Sequence, residues 1–218
     1  MIDAYLALGN AYMREDDKRN AFIAFNSAVL QDPNSAPALY NLGVLHYLGE
    51  KNEEAVKLLR RARDLRPNDF DTVFRLGMAQ LKTGEVEHAA DTLIAASKLD
   101  PTDPETWMNL GSCYTTLRRY QEARPALEKA LELKPGWSDA LNNMGILEQA
   151  QDFDTEALAR FQEAIKADPA NLRVHLNLGG LHEKKGQTAE AIAEYEIFMR
   201  EWRGDMAAAE AIRSKVEA

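Results

Sequence analysis

The sequence predicts an all-α fold, a solenoid of six helix-turn-helix units with a short capping helix at the C-terminal end. Three observations predict it. Glycine returns every 34 residues, at Gly9, Gly43, Gly77, Gly111, Gly145 and Gly179. Alanine keeps the same step at Ala21, Ala55, Ala89, Ala123, Ala157 and Ala191. Proline follows at Pro33, Pro67, Pro101, Pro135 and Pro169. Six copies in one register, with no insertion, define repeats at 2–35, 36–69, 70–103, 104–137, 138–171 and 172–205. Repeats of this length are supersecondary units that bury their apolar faces only by stacking.

Each copy reads as two helices. The first carries apolar residues at helical spacing, as in Leu39, Leu42, Leu45 and Tyr47. A polar break such as GEKNEE or TGEVEH comes next, and a second amphipathic helix such as AVKLLRRARDL follows it. Proline ends that second helix because it lacks an N–H and restricts the residue before it. Asp103 with Pro104 makes a helix start, with Asp as N-cap and Pro at the first helical position. Gly111, Ala123 and Ala130 are small so that two helix axes can approach. Pro125 falls about one turn into its helix, where few backbone bonds are lost, and predicts a mild bend. The sixth repeat departs from the pattern, with Arg203 in place of proline and Phe198 in place of alanine. After Gly204 and Asp205, the stretch 205–217 predicts a capping helix with Ala209, Ile212 and Val216 on its apolar stripe, packed over Phe198 and Trp202. The first repeat begins at Ile2 with no preceding cap, so its outer face is expected to be bare.

The stretch WMNLGSCY, with Trp107, Leu110, Gly111 and Tyr114, resembles the tetratricopeptide repeat family, whose pattern is W-x2-L-G-x2-Y, then A-x3-F, then P. The first repeat matches at Tyr5, Leu8, Gly9, Tyr12, Ala21, Phe25 and Pro33, missing only the tryptophan. The resemblance runs over residues 2–203 and implies a right-handed α-solenoid, read here as a single domain over 1–218. It also implies protein binding rather than catalysis.

Composition narrows the function classes. The chain has 218 residues, of which 26 are Lys or Arg and 35 Asp or Glu, for a net charge of −9. An acidic chain repels polyphosphate, so no nucleic acid partner is expected. No apolar run approaches the roughly 20 residues needed to span a bilayer. The N-terminal stretch MIDAYLALGNAYMRED lacks the basic start and continuous apolar run of a signal peptide. A cytoplasmic protein without membrane insertion is expected. A single cysteine fits a reducing compartment.

No catalytic constellation emerges. Cys113 replaces a small packing residue of a first helix and has no basic partner at matching height. His46 and His182 occupy the tyrosine position of the repeat and His175 the tryptophan position, so all three read as packing residues. His175 and His182 are seven residues apart on one helix, about 10 Å along its axis, too far to share a metal. Phosphate loops, CxxC pairs and HExxH are absent. Neither a metal, a cofactor nor enzymatic activity is expected. The run with Lys57, Arg60, Arg61, Arg63 and Arg66 reads as a solvated face.

Binding therefore has to be placed by register. The resemblance implies that first helices line a concave groove for a peptide or helix of a partner. One groove position reads Ala7, Asn41, Arg75, Asn109, Asn143 and Asn177. The asparagines form a ladder able to donate to and accept from a peptide backbone, similar to the one in the repeat region of O-GlcNAc transferase. Arg75 interrupts the ladder and can fork onto a carboxylate. The co-chaperone clamp for C-terminal carboxylates maps onto Leu6, Asn10, Asn41, Asp71 and Arg75, where both clamp lysines are missing. Adjacent positions Leu6, Met13, Tyr40, Val44, Tyr47, Phe74, Met78, Leu81 and Met108 supply apolar anchors. The expected groove is thus Asn10, Tyr40, Asn41, Tyr47, Phe74, Arg75, Met78, Met108, Asn109, Asn143 and Asn177. Two other roles fit the pattern: a self-assembling scaffold joined through the bare N-terminal end, and the targeting region of a larger enzyme such as a glycosyltransferase.

Overall fold

The computed structural model describes residues 1–202 together with Glu210 and Ile212. These described residues form twelve helices and no strand: α1 (Ile2–Arg14), α2 (Lys18–Gln31), α3 (Ala36–Leu48), α4 (Asn52–Leu65), α5 (Phe70–Lys82), α6 (Val86–Leu99), α7 (Pro104–Thr116), α8 (Tyr120–Leu133), α9 (Ser138–Gln149), α10 (Asp154–Ala167), α11 (Leu172–Lys184) and α12 (Thr188–Glu201). Helix boundaries repeat with the 34-residue step, so the six expected pairs are present.

The turn inside each pair is built the same way six times. One residue adopts the left-handed conformation, with φ of 55° at Asp16, 59° at Glu50, 79° at Gly84, 57° at Arg118, 61° at Asp152 and 72° at Gly186. The next residue's N–H then reaches back to the fifth carbonyl before it: Asp17 to Tyr12 at 2.9 Å, Glu85 to Gln80 at 2.9 Å, Arg119 to Tyr114 at 2.8 Å. This is the Schellman arrangement, which satisfies the carbonyls that a helix end leaves open. Where a second helix passes to the next first helix, the chain extends and aspartate organises the bend. Asp32, Asp100 and Asp168 accept from the N–H two residues on, at 2.9, 2.9 and 3.0 Å. As the sequence predicts, Asp103 caps α7, accepting from the Thr106 N–H at 2.7 Å. Helix α8 runs unbroken through Pro125.

Close approach within each pair explains the periodic glycine. A Cβ at Gly111 would lie 2.6 Å from Leu127 Cγ, at Gly43 2.8 Å from Leu59 Cγ, and at Gly77 2.9 Å from Leu93 Cγ. The alanines one period apart, Ala21, Ala55, Ala89, Ala123 and Ala157, are each fully buried. Packing divides the chain into two compact units, Met1–Thr106 and Trp107–Ala218, which are treated separately below. In the first, Ala21, Phe25, Leu42 and Leu45 form one core cluster, and Ala55, Val56, Leu59, Leu76 and Ala79 another. The second unit has Leu141, Ala157, Phe161, Ala164, Val174, Leu178 and Leu181 at its centre. The predicted capping helix over 205–217 lies outside the described residues, apart from Glu210 and Ile212. Both of these are helical. Ile212 is buried against Ala191, Tyr195 and Phe198, with Trp202 packed alongside and stacked on Phe198 at 5.0 Å between ring centroids.

Candidate functional site

In the first unit, the first helices α1, α3 and α5 carry seven of the expected groove residues. Their one-period spacing puts equivalent positions at the same height on consecutive helices. Tyr40 and Tyr47 are half-buried and pack with Val44 onto the Ala55, Leu59 and Leu76 cluster, which fixes the rings and leaves an edge at the surface. Asn41, Arg75 and Met78 are half-buried, and Asn10 is exposed. Phe74 differs from the expectation of a surface anchor. It is only 7% exposed, stacked on Phe70 at 5.8 Å between centroids, with the Arg75 guanidinium 5.8 Å from its ring. Its contribution is to hold Arg75 rather than to offer area.

The electrostatics around Arg75 are specific. Burial pushes the Tyr40 hydroxyl above the usual phenol range, and the Asp71 carboxylate adds to the rise. Arg75 pulls the other way through its charge and its hydrogen bonding. Arg75 therefore stands with Tyr40 and an exposed acid, Asp71, which occupies a lysine position of the carboxylate clamp. Next to them is a recess of about 140 Å³ lined by Pro37, Tyr40, Asn41, Arg66, Asp71 and Thr72. A second cavity of about 540 Å³ is lined by Met1, Ile2, Leu6, Pro37, Leu65 and Arg66 among others.

The remaining expected groove residues lie in the second unit. Met108, Asn109, Asn143 and Asn177 are half-buried. Asn177 is not an independent rung, because its Nδ2 donates to Oδ1 of the buried Asn142 at 2.8 Å. The adjacency of Asn142 and Asn143 was the only signal of this pair in the sequence. A small recess of about 40 Å³ is lined by Ser112, Thr115, Thr116, Asn143 and Ile146. The hydroxyls of Thr115 and Thr116 donate to carbonyls one turn back, at 2.9 and 3.0 Å.

Several groups that could carry chemistry are engaged in packing. Cys113 is fully buried, and burial pushes its thiol up to about 12. His175 is 5% exposed, with Nδ1 at 2.6 Å from Glu194 Oε2 and Nε2 at 3.2 Å from the Pro169 carbonyl. His182 Nδ1 faces Gln187 Oε1 at 2.9 Å. His46 meets the edge of Phe22 at 5.5 Å. Glu148, in the tyrosine slot, is buried between Arg124 at 3.4 Å and Arg160 at 3.8 Å. Among the described residues no group of three or more His, Cys, Asp or Glu is placed to hold a metal, and no helix is long and apolar enough to cross a membrane. The basic run of α4 is largely paired on its own surface. Arg60 meets Glu85 at 3.4 Å, Arg61 donates to the Pro33 carbonyl at 2.6 Å, and Arg63 meets Asp64 at 2.8 Å.

Comparison with known proteins agrees with this architecture. The profile described as Tetratricopeptide repeat matches residues 6–70, 74–136 and 143–205. A tetratricopeptide repeat protein from Parabacteroides merdae ATCC 43184 superposes with a TM-score of 0.85 at 20% identity, covering 99% of this chain and 85% of its own. YrrB, described as a TPR protein with an unusual peptide-binding site, superposes with a TM-score of 0.72 at 24% identity, covering 83% and 90%. MamA does so with a TM-score of 0.70 at 23% identity, covering 79% and 94%. No curated protein matches this sequence.

Proposed function

The chain belongs to the tetratricopeptide repeat family, and on that premise we propose that it is a non-catalytic interaction protein that holds a segment of a partner protein against the groove formed by its first helices. The observation that carries this is the surface of the first unit. Tyr40 and Tyr47 are half-buried against the core, and Met78 is half-buried on the same set of first helices as the amide of Asn41 and the guanidinium of Arg75. Rigid aromatic and methionine edges next to a few polar groups are what protein-binding surfaces are made of. In this reading Asn41 pairs with the backbone of the bound segment, and Arg75, beside Tyr40, takes a carboxylate on the partner. That YrrB, of the same fold, has a peptide-binding site supports the assignment. A single buried thiol and a charge-rich acidic surface suit the cytoplasm.

The experiment is quantitative capture from cell lysate with three baits: the wild-type protein, Arg75→Glu, and Tyr47→Ala combined with Met78→Ala. Circular dichroism confirms that each bait is folded. Proteins held by the wild type and lost from both variants identify the partner and the groove together. A partner retained by both variants removes the first-helix groove as its site.

A further inference from the structure

A contact between repeats five and six has an open counterpart between repeats two and three. Lys184, at the end of α11, holds two acids of the preceding repeat. Its Nζ lies 2.8 Å from Asp152 Oδ1 and 2.9 Å from Asp154 Oδ1. Hydrogen bonding to Asp152, and then to Asp154, holds its ammonium above the ordinary lysine range. Three periods earlier the same three positions are Lys82, Glu50 and Asn52. Glu50 keeps the left-handed turn conformation of Asp152, with φ of 59° against 61°. The second acid is replaced by a neutral amide. Among the described residues Lys82 forms no ion pair, and its side chain is exposed. It opens onto a cavity of about 430 Å³ lined by Tyr47, Leu48, Glu50, Asn52 and Lys82 itself.

This cavity lies on the same two first helices as the candidate groove. Tyr40 and Tyr47 are seven residues apart on α3, as Arg75 and Lys82 are on α5, so each pair spans about 10 Å along its helix. The first unit thus holds two similar positions, each a cation with a tyrosine beside a hollow. At one, Arg75 bonds to Tyr40, which lines the recess of about 140 Å³. At the other, Lys82 and Tyr47 line the cavity of about 430 Å³. Met78, half-buried, falls between the two cations on α5. Glu50 does not bar a further carboxylate, because two acids share the lysine in the closed copy. One carboxylate from outside leaves Lys82 between two acids, as Lys184 is.

We infer that Lys82 is a second carboxylate-binding position of the groove, and that the partner segment held there is acidic. The segment carries one carboxylate for Arg75, a second about 10 Å away for Lys82, and an apolar side chain between them at Met78. The second carboxylate plays toward Lys82 the part that Asp154 plays toward Lys184. This partner chemistry rests on the groove reading proposed above and makes it specific.

The test is selection of phage-displayed random peptides, about 12 residues long so as to span both positions, against the full chain. Affinities are then measured with synthetic copies of the enriched peptides. These are expected to share two acidic residues flanking an apolar one. Their affinity is expected to fall about fivefold in Lys82→Gln. A similar fall is expected in Asn52→Asp, which supplies within the chain the second carboxylate that Asp154 gives Lys184. Exchanging the matching peptide acid for its amide is expected to abolish the sensitivity to Lys82→Gln. Lys82 is exposed and Asn52→Asp conserves shape, so both variants are expected to fold, which circular dichroism checks. Peptides lost in Arg75→Glu but indifferent to Lys82→Gln and Asn52→Asp overturn the second position and leave the groove standing. Peptides indifferent to these changes and to Tyr47→Ala with Met78→Ala overturn the groove and the position together. Enriched peptides without paired acids, or no enrichment at all, overturn the acidic segment as occupant; a lysate partner held by the wild type and lost in Arg75→Glu would still support the groove.

Discussion

Cys113 fills the slot that Leu45, Ala79, Leu147 and Leu181 fill in other repeats, and all five side chains are buried. Its thiol, pushed up to about 12 by burial, stays protonated at neutral pH, and the thiolate is the reactive form. The native protein is therefore expected to leave a thiol reagent such as DTNB unreacted at pH 8 and to react fully once denatured; rapid labelling of the folded protein would contradict this placement. His46 offers a second residue-scale test. Burial holds its imidazole below the ordinary histidine range; the Lys51 ammonium adds to the shift and Glu54 opposes it. The unfolded chain thus takes up the proton more readily than the folded one. The stability tied to neutral His46 is present above the unfolded pKa of about 6.5 and is lost as pH falls toward the lower folded value. His46→Tyr, which restores the residue the repeat pattern places there, is expected to flatten the decline in melting temperature between about pH 7 and pH 5. An unchanged difference between wild type and variant across that range would exclude His46 as a source of the decline.

Helices and their turns were legible in the sequence to different degrees. The 34-residue step of glycine, alanine and proline marked all twelve helices, because close approach and helix termination each demand one residue type. The left-handed turn position was not legible. Only Gly84 and Gly186 show it by identity, while Asp16, Glu50, Arg118 and Asp152 adopt the same conformation with a side chain present. Gly84→Ala puts a Cβ into a left-handed residue with no atom within 4 Å to clash. It isolates the backbone cost, and a loss of about 1 kcal/mol in denaturant unfolding is expected. Gly111→Ala acts by another route. Its Cβ meets Leu127 Cγ at 2.6 Å in a fully buried contact, so the pair has to move apart. Overpacking of this kind costs about 1–3 kcal/mol, and Gly111→Ala is expected to lower the melting temperature more than Gly84→Ala. The reverse order would mean that the glycine slot yields more easily than its turn.

At the scale of the whole molecule, six near-equivalent pairs make stability a sum of local terms, and function depends on which helix faces stay open. The candidate groove was only partly legible. Register located Tyr40, Asn41, Tyr47, Arg75 and Met78 on the first helices, but periodicity does not separate the buried centre of an apolar stripe from its exposed flank. Phe74 accordingly turned out 7% exposed, and Asn177 turned out bonded to Asn142. The open face of α1 was visible as a missing neighbour, whereas the exposure of Ile23 and Leu30 emerged only when burial was compared across repeats. Hydrogen–deuterium exchange of the full chain, with and without the partner captured by the wild type, tests the central claim most directly. Binding in the groove predicts slower exchange in peptides from α3 and α5, reduced in Arg75→Glu, with α4 and α6 unchanged. Protection of α4 and α6 with α3 and α5 unchanged would contradict it and place the partner on the second helices.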